Sequence, residues 1–196
     1  MSRPVNEQRP EELRLAIVEY LIEHGLANLS LRPLAKAVRS SPRGLLYHFG
    51  SKEKMVMEAL AEVRRRQQAT IEKIDAPSFG EACHEVWRQM SSPESEPLFR
   101  LFFEVYGIAL RNPRLYDAFL RDTIEDWVRL VVEPLHGEGR DREQSRAFAT
   151  VILASLRGFM LDFCTTHDRE RVDKAVNLWL TNLDTMLPPK NVEQRL

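Results

Sequence analysis

Along nearly the whole chain apolar residues return at three- and four-residue steps, and no stretch alternates with the period of two that a half-buried strand requires. That periodicity confines the chain to helices. Asn-Gly and Asp-Gly hairpin signals are missing too. Interruptions fall at HGLANLS, VRSSP, HFGS, DAPS, SSPESEP, RNP, HGEGRD and THD, each holding Gly, Pro or small polar residues that stop one helix or cap the next. The sequence therefore predicts an all-α fold of about nine helices. Three short ones lie within the first 50 residues, followed by a longer segment from Ser51 to about Ile74 and larger helices near 78–91, 96–111, 113–135, 142–166 and 169–187. No internal repeat of 20–50 residues is present. The stretch around Gly137, with two glycines and many charges, is the expected flexible or solvated connection.

A net charge of −1 over 196 residues excludes a polycation, so any affinity for nucleic acid must be local. The N-terminal stretch lacks the apolar core of a secretory signal, and no run reaches the roughly 18 uninterrupted apolar residues of a spanning helix. A cytoplasmic protein without a membrane partner is expected. Cys83 and Cys164 are isolated and sit in helical apolar patterns, as reduced, buried thiols do. His136 and His167 lack neighbours at metal-ligand spacing, and there is neither a glycine-rich phosphate loop nor a nucleophile elbow. No catalytic residue, metal or cofactor is expected.

The first 50 residues carry the sharper pattern. Helix one places Leu13, Ile17, Tyr20 and Leu21 on one face and ends at Gly25, suited to a left-handed C′ position. Helix two opens after Ser30, tolerates Pro33 in its first turn, and turns Leu34, Ala35 and Val38 inward. Helix three opens after Ser41, with Pro42 at the first helical position. At about 100° per residue Leu45 and Phe49 share one side, Arg43, Gly44 and Tyr47 take the opposite side, and Leu46 and His48 fall on the flanks. Two short helices joined by a tight turn, the second burying only a narrow edge, describe a helix-turn-helix whose second helix fits a major groove.

Charge agrees with that geometry. From Asn28 to Lys54 the chain holds Arg32, Lys36, Arg39, Arg43, Lys52 and Lys54 against Glu53 alone. Lys52 follows the Ser51 cap at a helix N-terminus, where a cation opposes the macrodipole, and a phosphate docked there would reverse the sign of that interaction.

The segment LSLRPLAKAVRSSPRGLLYHFGSKEKM, residues 29–55, with LYHFGSKE as its most specific part, resembles the DNA-binding domain of TetR-family regulators. By motif the resemblance covers about the first 60 residues; beyond them it is one of length and helix pattern. It implies that Ser30 and Arg32 reach phosphate or a groove edge, that Ser41, Pro42, Arg43 and Gly44 present the start of the recognition helix, that Tyr47 and His48 contact the backbone, and that Lys52 holds a phosphate. Arg43 is the base reader of choice, since a guanidinium fork pairs with guanine O6 and N7, while Gly44 permits close approach. Two positions depart from the family. Arg39 stands where glycine is usual in the turn, so a differently shaped turn is expected, and Leu46 stands where tyrosine is common.

Past residue 75 aromatic stripes dominate. Trp87, Phe99, Phe102, Phe103, Tyr106, Tyr116, Phe119, Trp127, Phe159 and Phe163 are candidates either for ordinary core or for the lining of the apolar effector cavity that the resemblance implies. His84, Tyr106 and Asp162 could orient a ligand or be satisfied structurally. Ala147, Val151, Ala154, Ser155 and Gly158 form a small-residue face, and Val172, Val176, Trp179, Leu180, Leu183 and Leu187 a second apolar face. The last two helices could pair with their symmetry mates in a homodimer, or pack within one subunit.

These readings converge on a TetR-like DNA-binding regulator that binds a palindromic operator. It would be a homodimeric, ligand-responsive repressor with a DNA-binding domain over residues 1–50, an effector-binding and dimerisation domain over 51–196, and the helix from Ser51 as coupler. Its partners would be double-stranded operator DNA and a small, largely apolar effector. A constitutive DNA-binding protein and an all-helical enzyme using the aromatic cavity are the alternatives.

Overall fold

The helices of the computed structural model, which describes residues 9–27 and 29–190, follow the breaks in the sequence closely. They are α1 (Arg9–His24), α2 (Leu31–Ala37), α3 (Pro42–Phe49), α4 (Lys52–Ile71), α5 (Phe79–Met90), α6 (Glu96–Arg111), α7 (Pro113–Gly137), α8 (Arg142–Thr166) and α9 (Arg169–Thr181), with a 3-10 turn at Leu183–Met186. Among the described residues there is no strand, only one isolated bridge between Arg140 and Lys190.

The chain divides into two compact units. The first runs to Gln67 and takes in Arg100–Phe119. Its buried side chains are Leu13, Ile17, Val18 and Leu21 from α1, Leu34 and Ala35 from α2, Leu45 and Phe49 from α3, and Met55, Val56 and Ala59 from α4. Gly25 takes the left-handed conformation expected of it, at φ +69°, and closes α1 through its N–H to the Leu21 carbonyl at 2.9 Å. The next amide, that of Leu26, donates to the Glu104 carboxylate. A Cβ on Gly25 would lie 2.6 Å from that carboxylate, so glycine is required twice over, by dihedral and by space.

The end of α2 shapes the turn. Ser40 N–H reaches back to the Ala35 carbonyl at 2.8 Å and Arg39 N–H to that of Lys36 at 3.3 Å, the paired bonds of a Schellman closure with Arg39 at C′. Arg39 accordingly sits at φ +52°. The expectation of a differently shaped turn is therefore corrected: the arginine adopts the left-handed conformation natural to glycine, because the closure satisfies carbonyls that would otherwise be orphaned.

The second unit comprises Gln68–Phe99 and the chain from Leu120 onward. Cys83 and Trp87 of α5, Phe148, Ile152 and Met160 of α8, and Val172 and Val176 of α9 are buried in it, with Leu183 of the 3-10 turn. The rings of Phe79 and Phe148 lie 5.3 Å apart, and Trp87 Nε1 donates to Asp173 at 2.9 Å. Val128 and Val132 of α7 pack with Ala149. Both cysteines are buried and form no disulfide, and burial, with Asp184 adding to it, pushes the Cys83 thiol up to about 12.

Three expectations need adjustment. The final helix stops at Thr181, because from Asn182 onward the amides of Thr185 and Leu187 bond three residues back, in 3-10 fashion. Helix α7 outlasts Pro134 and closes with Gly139 at φ +79°, where Arg140 N–H reaches the Leu135 carbonyl at 3.2 Å. The following connection is held rather than loose: the Arg140 guanidinium donates to the Pro188 carbonyl and lies 3.3 Å from Glu138. Among the described residues only α8 is long and apolar enough to cross a membrane by length and composition. Its apolarity is accounted for by the face it buries, including Phe148, Ile152, Leu156, Met160 and Phe163.

A left-handed arginine costs about 1–2 kcal/mol, and glycine gives back part of that in chain entropy, roughly 0.5–1 kcal/mol. Arg39→Gly is thus expected to raise the thermal midpoint by about 1–4 °C, measured by calorimetry.

Candidate nucleic-acid interface

Helix α3 is built by its ends and one edge. Ser41, extended at φ −116° and ψ 155°, accepts the Gly44 amide on its Oγ at 2.9 Å, and Pro42 occupies the first helical position. Gly50, at φ +79°, ends the helix through its N–H to the Leu46 carbonyl at 2.8 Å. Leu45 is fully buried and Phe49 only 5% exposed, and these two side chains hold the helix to the unit. Everything opposite them is free of the core. Tyr47 is 84% exposed, and Arg43 and His48 are exposed, with the Tyr47 and His48 rings edge to face at 5.6 Å.

Gly44 has a second reason to be glycine besides close approach. A Cβ there would lie 3.0 Å from the Ser40 hydroxyl and 3.1 Å from that of Ser41, crowding the cap.

The flanking elements carry the charge. Ser30, the N-cap of α2 by backbone geometry, makes no side-chain cap hydrogen bond, and Arg32 and Lys36 are exposed. At the start of α4 the Ser51 hydroxyl accepts the Lys54 amide at 3.1 Å. Lys52, half-buried, donates from Nζ to the Leu29 carbonyl. This places its ammonium between the start of α4 and the segment leading into α2, with two further N–H donors available to an anion.

The aromatic candidates fall in both units. In the first, Phe102 meets Phe103 edge to face at 6.0 Å and Tyr106 at a tilt at 4.7 Å, and the Arg64 guanidinium lies 5.9 Å from the Phe119 ring. Tyr116 is buried, which raises its phenol pKa, with Glu53 adding to the shift. In the second unit Trp87 meets Phe159 edge to face at 6.2 Å, Phe159 meets Trp179 at 5.6 Å, Phe99 and Phe163 are buried, and Trp127 is half-buried. A cleft of about 160 Å³ opens in this unit between α5 and α9, lined by His84, Trp87, Arg88, Ser91, Arg169, Asp173 and Asn177. Of the aromatic candidates only Trp87 lines it. Of the cleft's lining, His84 and Trp87 are legible in the sequence as candidates and the rest are not, because the cleft joins positions some 80 residues apart, for which a single chain's periodicity carries no signal. Asp162 is used structurally: Arg171 binds it through two nitrogens at 2.6 and 2.8 Å, which holds its carboxyl below the usual range.

The apolar face of α9 packs inside its own unit, with Val172, Val176 and Leu183 buried and Trp179 and Leu180 half-buried. The small-residue face of α8 does not. Ala147, Val151, Ala154 and Gly158 are exposed, and a Cβ on Gly158 would meet nothing within 4 Å.

Residues 14–59, from α1 into α4, match the family of bacterial regulatory proteins of the tetR type. No curated protein matches the chain. Solved structures share the fold. Salmonella enterica GusR superposes with a TM-score of 0.74 at 18% identity, covering 95% of this chain and 99% of its own. A transcriptional regulator from Rhodococcus sp. Rha1 gives 0.73 at 19% identity over 90% and 96% of the two chains. The multidrug binding protein EbrR, solved with imidazole, gives 0.67 at 20% identity over 97% and 99%. Residues 14–59 thus match the N-terminal domain of the tetR family of bacterial regulatory proteins, and the chain shares an all-α fold with these solved structures along nearly its whole length.

Proposed function

We propose that the protein is a ligand-responsive repressor that binds a palindromic operator as a homodimer. The observation that carries the DNA-binding mode is the division of α3 into a buried Leu45–Phe49 edge and an outward Arg43–Tyr47 face, in a segment where six basic residues meet one acidic. Arg43 reads a guanine through its fork, and Pro42 and Gly44 let the start of the helix approach the groove. Ser30, Arg32, Ser41, Tyr47 and His48 fix the register on phosphates, and Lys52 grips a phosphate where the first-turn amides of α4 add their own donors. Residues 1–50 act as the DNA-binding domain, 51–196 as the effector and dimerisation domain, and α4 as the coupler.

Two copies meet through the exposed Ala147–Val151–Ala154–Gly158 stripe of α8, and Leu178 of α9, 71% exposed, adds apolar surface. Pairing matters because one eight-residue helix makes few contacts, whereas two recognition helices about 34–36 Å apart read a palindrome. The effector is small and largely apolar, held by the aromatic side chains; that EbrR was solved with imidazole supports a ligand-binding use of this fold. Binding shifts the population toward subunit placements that no longer match successive grooves.

Arg43→Ala is expected to relax base preference at one position per half-site, whereas Lys52→Ala weakens all duplexes alike and lowers the salt slope by about one, both read by anisotropy titrations over a salt series. Ala154→Arg should convert the dimer to a folded monomer in light scattering and cut operator affinity at least tenfold; a dimer that survives the arginine removes α8 from the interface. A thermal-shift screen against small aromatic and aliphatic compounds should yield binders whose affinity is lower for operator-bound than for free protein, because coupling is reciprocal. Equal affinities for the two forms, or no binder at all, would favour a constitutive DNA-binding protein.

A further inference from the structure

Leu46 is the one large apolar side chain on the open part of the recognition helix other than Tyr47, and at 39% exposed it keeps part of its surface open to solvent. It lies 100° round the helix from buried Leu45 and three residues on from Arg43, so Arg43 and Leu46 are neighbours on one flank, with Cβ atoms about 5–6 Å apart. Its neighbours on the outward side are polar: Arg43 and His48 are exposed, and Tyr47 ends in a hydroxyl.

A leucine cannot hold a phosphate, having neither donor nor charge. In a major groove the edges of the bases offer hydrogen-bonding groups almost throughout, and the one apolar group among them is the 5-methyl of thymine. We propose that Leu46 reads that methyl group, so that each half-site carries a thymine within one or two base pairs of the guanine paired with Arg43. The spacing follows from the i, i+3 separation set against the 3.4 Å rise of the duplex. The assignment rests on the DNA-binding mode given above and extends it from a single guanine to a two-letter preference.

The test separates the two. Full-length protein is first used to select duplexes from a randomised pool, and each thymine of the enriched half-site is then replaced, one at a time, by deoxyuridine, which removes the methyl and leaves pairing and O4 untouched. Burial of one methyl corresponds to about three- to fivefold in affinity. We expect one thymine beside the Arg43-dependent guanine to lose that factor on conversion to uracil, Leu46→Ala to lose the same factor on the thymine duplex and to bind both duplexes equally, and Leu46→Met to keep the discrimination. Because Leu46 is exposed and alanine favours helices, Leu46→Ala should melt at the wild-type temperature. A flat deoxyuridine scan with wild-type protein, or full thymine preference in Leu46→Ala, overturns the assignment while Arg43 remains a reader. Failure to enrich any sequence overturns the DNA-reading mode and this assignment with it.

Discussion

The recognition helix is held by two side chains. An eight-residue helix is far too short to persist by itself in water, since nucleation is costly and few backbone bonds follow it. Burial of Leu45 and Phe49 supplies what propensity cannot, and the Ser41 cap and Gly50 closure fix where the helix begins and ends. Because only one narrow edge is spent on the core, Arg43, Tyr47 and His48 on the remaining circumference are left exposed. That is the physical reason an arginine, a tyrosine and an exposed leucine can sit side by side on it without cost to the fold.

The same economy governs the approaches to α3. The turn before it places Arg39 in a left-handed conformation that glycine would occupy without strain, and keeps a positive charge beside the recognition helix. At the other end Lys52 is tied to the Leu29 carbonyl, which pre-orders an ammonium at a helix N-terminus where its own charge is unfavourable. Both are arrangements that stability alone would not select, and both become favourable beside a polyanion. The Glu104 carboxylate, by contrast, is a structural clasp on the end of α1, as the close fit around Gly25 requires.

In the second unit one helix serves two surfaces. The inner face of α8 carries Phe148, Ile152, Met160 and Phe163 into the core, and one stripe of its outer face holds Ala147, Val151, Ala154 and Gly158. Small residues on an exposed helix add nothing to packing within the unit; they leave room for another backbone, as the proposed pairing of two copies requires. Helix α9 is used differently, its apolar face being consumed against α5 and α8, with Trp87 bonded to Asp173 and Trp179 set against Phe159.

What was legible in the sequence was local. Helix number and most boundaries followed from period and punctuation, because caps at Ser41, Ser51, Ser78 and Asp141 and left-handed glycines at 25 and 50 act within a few residues of themselves. The outward set of α3 followed from 100° per residue once Leu45 and Phe49 were taken as core. What only the tertiary structure decided was which partner each apolar face meets. A three-and-four pattern says that a face is buried but not against what, so the α9 face and the aromatic stripes stayed ambiguous until distant helices came together. The polar α5–α9 cleft, the Lys52–Leu29 tie and the Glu104 clasp join residues 23 to about 80 positions apart, and such contacts leave no trace in periodicity because they depend on how helices cross and not on how each one forms.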